Sequence, residues 1–236
     1  MNFLKIIAKS ILKEEIDTYE STIEKLKENQ IIVNAKEEEL NSKYPKADLT
    51  YSRIETDGTY KIALQNFFQI NDFNIPTCTG NTDDEKALNC LKYIIKTIKY
   101  VPDKTDYGYD EYWAYPYQTL GRKKGDCEDG SILLANMLVK SGIPYWKIRL
   151  TAGDVNDSLG NAGGHCFVVY YCEEKKKWVI LDWCYYQDST TSIADRKEYK
   201  EMSYYKNIWF SWNQKYCFSN ETFKTDINKK FRRKKC

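Results

Sequence analysis

Histidine is all but missing from this 236-residue chain: His165 is the only one. Any cysteine–histidine chemistry therefore has a single candidate base. The eight cysteines (Cys78, Cys90, Cys127, Cys166, Cys172, Cys184, Cys217 and Cys236) fall at irregular gaps, with no CxxC pair to begin a zinc site. Most of them read as small buried hydrophobes in a reducing compartment. No stretch approaches the roughly 20 apolar residues of a membrane span. Lys5 and Lys9 interrupt the apolar start MNFLKIIAKSILKEE before a signal-peptide core can form. A soluble protein, neither exported nor membrane-bound, is the expectation. Neither sign of charge is in surplus. The 36 Lys and Arg against 34 Asp and Glu leave +2, which argues neither for nor against nucleic acid. The local exception is the tail KKFRRKKC at 229–236, read as a solvated end, and no nucleic-acid partner is expected.

What the chain does have is aromatics, 20 Tyr and six Trp, which favour a β-containing core. Residues 1 to 44 contain no Gly or Pro. Leu4, Ile7 and Ile11 recur at helical spacing, and after a one-residue slip Ile16, Tyr19, Ile23, Leu26, Val33 and Leu40 resume the stripe. This predicts a long amphipathic helix, either laid against its own domain or free for self-association. Pro45 breaks it, and Asp57-Gly58 suggests a hairpin turn. Thr82 and Glu85 stand at capping-box spacing before a helix whose buried face is Leu88, Leu91, Ile94, Ile95 and Ile98. A second helix follows residue 126, with Ile132, Leu133, Ala135, Met137 and Leu138 inside, and ends at Gly142 and Pro144. Strand-rich sequence then takes over at 145–152, 165–172 and 177–184, the last two joined by EEKKK as an antiparallel hairpin. Residues 207–212 and 216–219 are expected as edge strands. Helices first and an antiparallel sheet second make the fold α+β. The expected division is a helical arm with its connecting segment over 1–60, a domain over 61–222 and a basic tail over 223–236.

Three side chains could form a reaction site. Cys127, in GDCEDGS, falls at a helix start, where unpaired N–H groups and the helix dipole stabilise a thiolate, although Asp126, Glu128 and Asp129 oppose it. Asp126 is the natural N-cap, and Gly125 allows close approach of the chain. His165 opens a strand after NAGG. Asp182, inside WVILDWC, is costly to bury unless something hydrogen-bonds it. Counted back from the hairpin turn, His165 and Asp182 can be cross-strand neighbours on one face, where the carboxylate would orient the imidazole.

Cys in GDCEDGS, His in GGHCFVVYY and Asp in VILDWC, in that order, resemble the transglutaminase-like cysteine-enzyme superfamily. The run DEYWAYPYQTLGRKKGDCEDGSILLANMLVKSGIP is similar to its bacterial cysteine proteinase branch. The resemblance spans about residues 62 to 190. It implies a papain-like core with Cys127 as nucleophile, His165 as base and Asp182 as orienter. An upstream donor completes the oxyanion site, with Gln118, Tyr117 and Trp113 as candidates. Calcium held by Asp126 and Glu128 is implied as well; the competing reading is a helix cap, with Glu128 and Asp129 complementing the dipole. Lys123 and Lys124 depart from the small residues common in bacterial relatives, which bears on substrate preference. The expected function is a cysteine peptidase or amidase acting on a protein or peptide and requiring no cofactor. The alternatives are a protein-glutamine amine transferase, or a structural or binding module of the kind found in phage. The expected location is cytoplasmic or virion-associated.

Overall fold

The computed structural model describes residues 2–42, 46–157 and 159–219, with the side chains of 2–8 and 40 outside that description. The side chains of Leu4, Ile7 and Leu40, and all of Cys236 and the basic tail, therefore lie outside it. The chain divides into two compact units, Met1–Lys43 and Tyr44–Cys236. The first is one unbroken helix, α1 (Asn2–Asn41), along which Ile16, Tyr19, Ile23 and Leu26 are exposed. No helix among the described residues is long and apolar enough to cross a membrane.

The second unit begins at Tyr44. Strands β1 (Thr50–Glu55) and β2 (Gly58–Ala63) form the expected hairpin. That hairpin is part of the core: the Tyr51 ring stacks on Trp113 at 4.8 Å and its hydroxyl donates to Glu111 O at 3.1 Å. Helix α2 (Asp83–Thr97) starts as its sequence predicts, with Thr82 Oγ1 accepting the Glu85 N–H. The Glu85 carboxylate closes back on the Asn81 N–H rather than on that of Thr82. There follow β3 (Lys99–Tyr100), α3 (Asp103–Asp106), α4 (Pro116–Arg122), β4 (Lys124–Gly125) and α5 (Cys127–Lys140). Leu91, Ile94 and Ile98 are buried on the α2 side, whereas Leu88 and Ile95 are half-buried.

Strands β5 (Ile148–Asn156), β6 (Ala162–Cys172), β7 (Lys177–Leu181), β8 (Tyr205–Trp212) and β9 (Cys217–Ser219) make one antiparallel sheet ordered β7-β6-β5-β8-β9. Sequence reasoning expected β8 at an edge. It lies inside, between β5 and β9, because its aromatic residues Trp209, Phe210 and Trp212 are buried in the main core. The two-residue period of β6 divides the core. Cys166, Val168 and Tyr170 face the main cluster that includes α5, while Phe167 and Val169 meet Val155, Ile180 and Tyr205 in a smaller one.

Candidate active site

A tight reversal delivers the chain to Cys127. Helix α4 ends on Lys123, whose backbone takes the left-handed conformation (φ 52°) while its N–H returns to Thr119 O at 2.8 Å. Lys124 and Gly125 then pair in parallel with Lys99 and Tyr100. Lys124 Nζ stands 2.5 Å from Asp106, the carboxylate that also takes Arg122. A Cβ at Gly125 would come within 2.5 Å of Asp129 Cβ, so no side chain is tolerated there. Asp126 occupies the N-cap position but makes no capping hydrogen bond. The expected cap does not form because the carboxylate lies in a cluster with Asp103 and Asp129.

Cys127 is the first residue of α5, and its thiol donates to Glu128 Oε2 at 3.1 Å. Burial pushes this thiol well above its usual pKa and the Asp126 charge adds to the rise; a hydrogen bond from the Cys166 backbone pulls the other way. The sulfur thus rests against the residue next to His165. Two further bonds tie the start of α5 to the strands: Ser131 Oγ donates to Cys166 O at 3.0 Å, and Trp183 Nε1 donates to Cys127 O at 3.1 Å. The Trp183 indole lies on Gly130 so closely that a Cβ there would stand 2.2 Å from Cε2.

His165 and Asp182 meet as the hairpin count suggested, though diagonally. The pairing of Val168 with Leu181 sets residue 182 beside Phe167, so His165 is its same-face diagonal neighbour. His165 Nε2 lies 2.7 Å from Asp182 Oδ2, and both residues are buried. Asp182 Oδ1 accepts the N–H groups of Cys184 and Tyr185, each at 3.1 Å. Burial would raise the Asp182 pKa, but the imidazole charge, its hydrogen bond, the Tyr205 hydroxyl and the Cys184 N–H outweigh it and hold the carboxyl well below its usual range. The Tyr185 and Phe167 rings flank the imidazole at 5.3 and 5.9 Å. Its Nδ1 has no hydrogen-bond partner among the described residues.

Two of the three upstream oxyanion candidates direct their donors elsewhere. Trp113 is fully buried and its Nε1 donates to Glu111 at 2.8 Å. Gln118 closes a capping box on the Tyr115 N–H and donates to Tyr112 Oη at 3.2 Å. Tyr117 is half exposed and stacks on Tyr115. A further aromatic at the start of α5 is Tyr100, paired with Gly125 and 6.1 Å from the Trp183 ring. Tyr100 is half exposed; partial burial raises the pKa of its hydroxyl, and the charges of Cys127 and Asp126 add to the rise. Sequence reasoning missed Tyr100, because a two-residue parallel bridge leaves no periodic signal.

The acids reach further than the pair flanking the nucleophile. Ligand oxygens of Asp103, Glu111 and Glu128 lie within 4.8 Å of one another, as do those of Asp103, Asp126 and Asp129. Asp129 Oδ1 accepts the Ala114 N–H at 2.7 Å. Glu128 Oε1 and Asp129 Oδ2 are buried with no hydrogen-bond partner among the described residues. Burial, then the charge of Asp126, pushes both carboxyls well above the usual carboxylate range. Such uncompensated oxygens suit a hard cation.

Helix α5 packs on the antiparallel sheet whose β6 carries His165, and the buried His165–Asp182 pair lies at the end of that sheet. Residues 74–183, the stretch that carries Cys127, His165 and Asp182, match the family model described as the transglutaminase-like superfamily. Among solved structures, the chain is similar to Legionella pneumophila LapG, with 20% identity, a TM-score of 0.47 and 59% of this chain covering 70% of that one. A calcium-bound form of the same protein gives 20% identity and 0.45, with 60% and 71% covered. Its EGTA-treated form gives 19% and 0.47, with 63% and 74% covered. Comparison with curated proteins finds no match.

Proposed function

We propose that Cys127, His165 and Asp182 form a thiol acyl-transfer site that hydrolyses a peptide or amide bond in a protein or peptide substrate. The observation that carries this reading is the buried 2.7 Å His165–Asp182 pair, with Nδ1 left uncommitted next to the residue whose N–H the Cys127 sulfur accepts. An ionised carboxylate can only accept, so Nε2 carries the hydrogen and Nδ1 the lone pair. When Sγ turns from Glu128 to the imidazole, Nδ1 takes its proton and the thiolate attacks the carbonyl carbon. The imidazolium returns that proton to the departing amine, leaving a thioester. Water, giving a proton to the same Nδ1, then releases the acid and restores the thiol. The Cys127 N–H at the open end of α5 is one oxyanion donor, and we assign the second to the Tyr100 hydroxyl. A lysine amine in place of water would make the same thioester a cross-link. A peptide library offered with a primary amine separates these cases. Cleavage by the wild type and none by Cys127→Ala is the expected result. Amine incorporation without cleavage would assign a transferase, and inert wild-type protein would leave a binding module.

Asp126 and Glu128, joined by Asp103, would hold calcium in this reading. Bound there, the cation would neutralise the acids that disfavour the thiolate and compete for the Glu128 oxygen that takes the thiol hydrogen. The raised carboxyls give the sign of a pH test. An acid whose pKa is raised by folding keeps a proton that the unfolded chain releases. Its contribution is complete below the unfolded value, about 4, and stability falls as pH rises above it. In chelator, the thermal midpoint should drop by about 5 °C or more between pH 5 and pH 7.5. Calcium should restore it at the higher pH, and Glu128→Gln should flatten the profile. A midpoint that ignores both pH and calcium would remove the ion from the account.

A further inference from the structure

The Asp182 carboxylate is held from a direction that the matched family segment, residues 74–183, does not reach. Tyr205, the first residue of β8, donates its hydroxyl to Asp182 Oδ2 at 2.7 Å. That is the same oxygen on which His165 Nε2 sits, also at 2.7 Å. Tyr205 is buried, and its ring meets Phe167 edge-on at 4.7 Å. Phe167 in turn stacks against the imidazole. One residue therefore touches both halves of the pair, the carboxylate through its hydroxyl and the imidazole through the intervening ring.

We propose that Tyr205 is a positioning residue of the site: by donating to Asp182 Oδ2 from β8, it fixes the carboxylate against His165 and shares the oxygen that would otherwise bind the imidazole alone. This rests on the triad reading and deepens it. The physical argument begins with rotation. Asp182 follows the last residue of β7, so no ladder pairing holds its backbone. The Cys184 and Tyr185 N–H groups fix Oδ1 only, leaving the plane of the carboxylate to be set at Oδ2. A second hydrogen bond there, charge-assisted and buried, sets that plane and hence the ring it orients. The electronic consequence is separate. An oxygen accepting from two side chains is a weaker acceptor for each, so Tyr205 moderates the pull of Asp182 on the Nε2 proton. The ionisable groups around the pair are Tyr205 from β8, Cys184, Tyr185 and Tyr186 from the segment after β7, and Cys166 from β6.

His165 being the sole histidine of these 236 residues makes the test direct, because the chain gives only one imidazole spectrum. With 15N-labelled histidine, the Nε2–H proton is followed at fixed pH in the wild type, Asp182→Asn and Tyr205→Phe, alongside alkylation of Cys127 by iodoacetamide. Tyr205→Phe should move the Nε2–H resonance downfield, as the remaining bond to Oδ2 strengthens. Alkylation should slow about tenfold, the scale of losing an orienting outer partner. Tyr205→Phe leaving both resonance and alkylation unchanged would overturn the proposal, even if the melting temperature fell. A resonance that Asp182→Asn does not alter would overturn the triad reading itself, and this inference with it. Should Tyr205→Phe not fold, 3-fluorotyrosine at position 205 replaces it. Its stronger hydroxyl donor should move the resonance upfield, and an unmoved resonance would again refute the role.

Discussion

His165→Asn is expected to lower turnover of whichever substrate the wild type accepts by about a thousandfold or more, the loss that follows removal of a general base. Asparagine keeps a donor toward Asp182 but offers no nitrogen that can take a proton. The chain has no second histidine to substitute for it. The thiol should lose its reactivity in parallel. Without an imidazole, the half-buried Cys127 is left to forces that mainly raise its pKa, burial first and Asp126 second, against the modest help of the Cys166 N–H and the Glu128 hydrogen bond. Selective alkylation of Cys127 over the other cysteines should therefore vanish near pH 7, read by peptide mapping after brief iodoacetamide treatment. Retention of both turnover and selective labelling in His165→Asn would end the triad reading, since it would place the proton acceptor elsewhere.

Gly130→Ala should be severely damaging although the residue touches no substrate. Alanine is the better helix former, and on propensity alone the change would add about 1 kcal/mol of stability. The added methyl, however, would stand 2.2 Å from Cε2 and 2.5 Å from Nε1 of Trp183. The indole is almost fully buried and cannot retreat into solvent. Moving it breaks the bond from Nε1 to Cys127 O, the link between the nucleophile helix and the strand end that carries Asp182. Overpacking and the lost hydrogen bond together should cost about 2–4 kcal/mol. Urea denaturation would show this as a lower midpoint, and activity in the folded fraction should fall as well. An unchanged or raised midpoint would mean that the helix and Trp183 do not pack this closely.

Much of this site was legible before any fold was known, for local reasons. A cysteine at a helix start announces itself through Gly125, Asp126 and the apolar spacing that follows, because the helix period and its terminus lie within one short stretch. The His165–Asp182 meeting could be counted from a tight turn, since hairpin register propagates from the loop. The slip came where a reading was local but the competition was not. Asp126 looked like a cap until Asp103 and Asp129, the first from a separate short helix, entered its surroundings. Trp113 and Gln118 looked like oxyanion donors until Glu111 and Tyr112 took their hydrogens.

By itself, the amino-acid order determined the α+β class, the helix that presents Cys127, and the hairpin that joins the one imidazole to Asp182. Only the tertiary structure decided that Trp183 clamps Gly130, that Tyr100 pairs with Gly125, that Asp103 and Glu111 gather at Glu128, and that Tyr205 shares the Asp182 oxygen. The physical reason is range. Periodicity and capping express bonds between residues a few positions apart, whereas these contacts join segments whose approach is set by burial of the whole core, for which no short pattern exists.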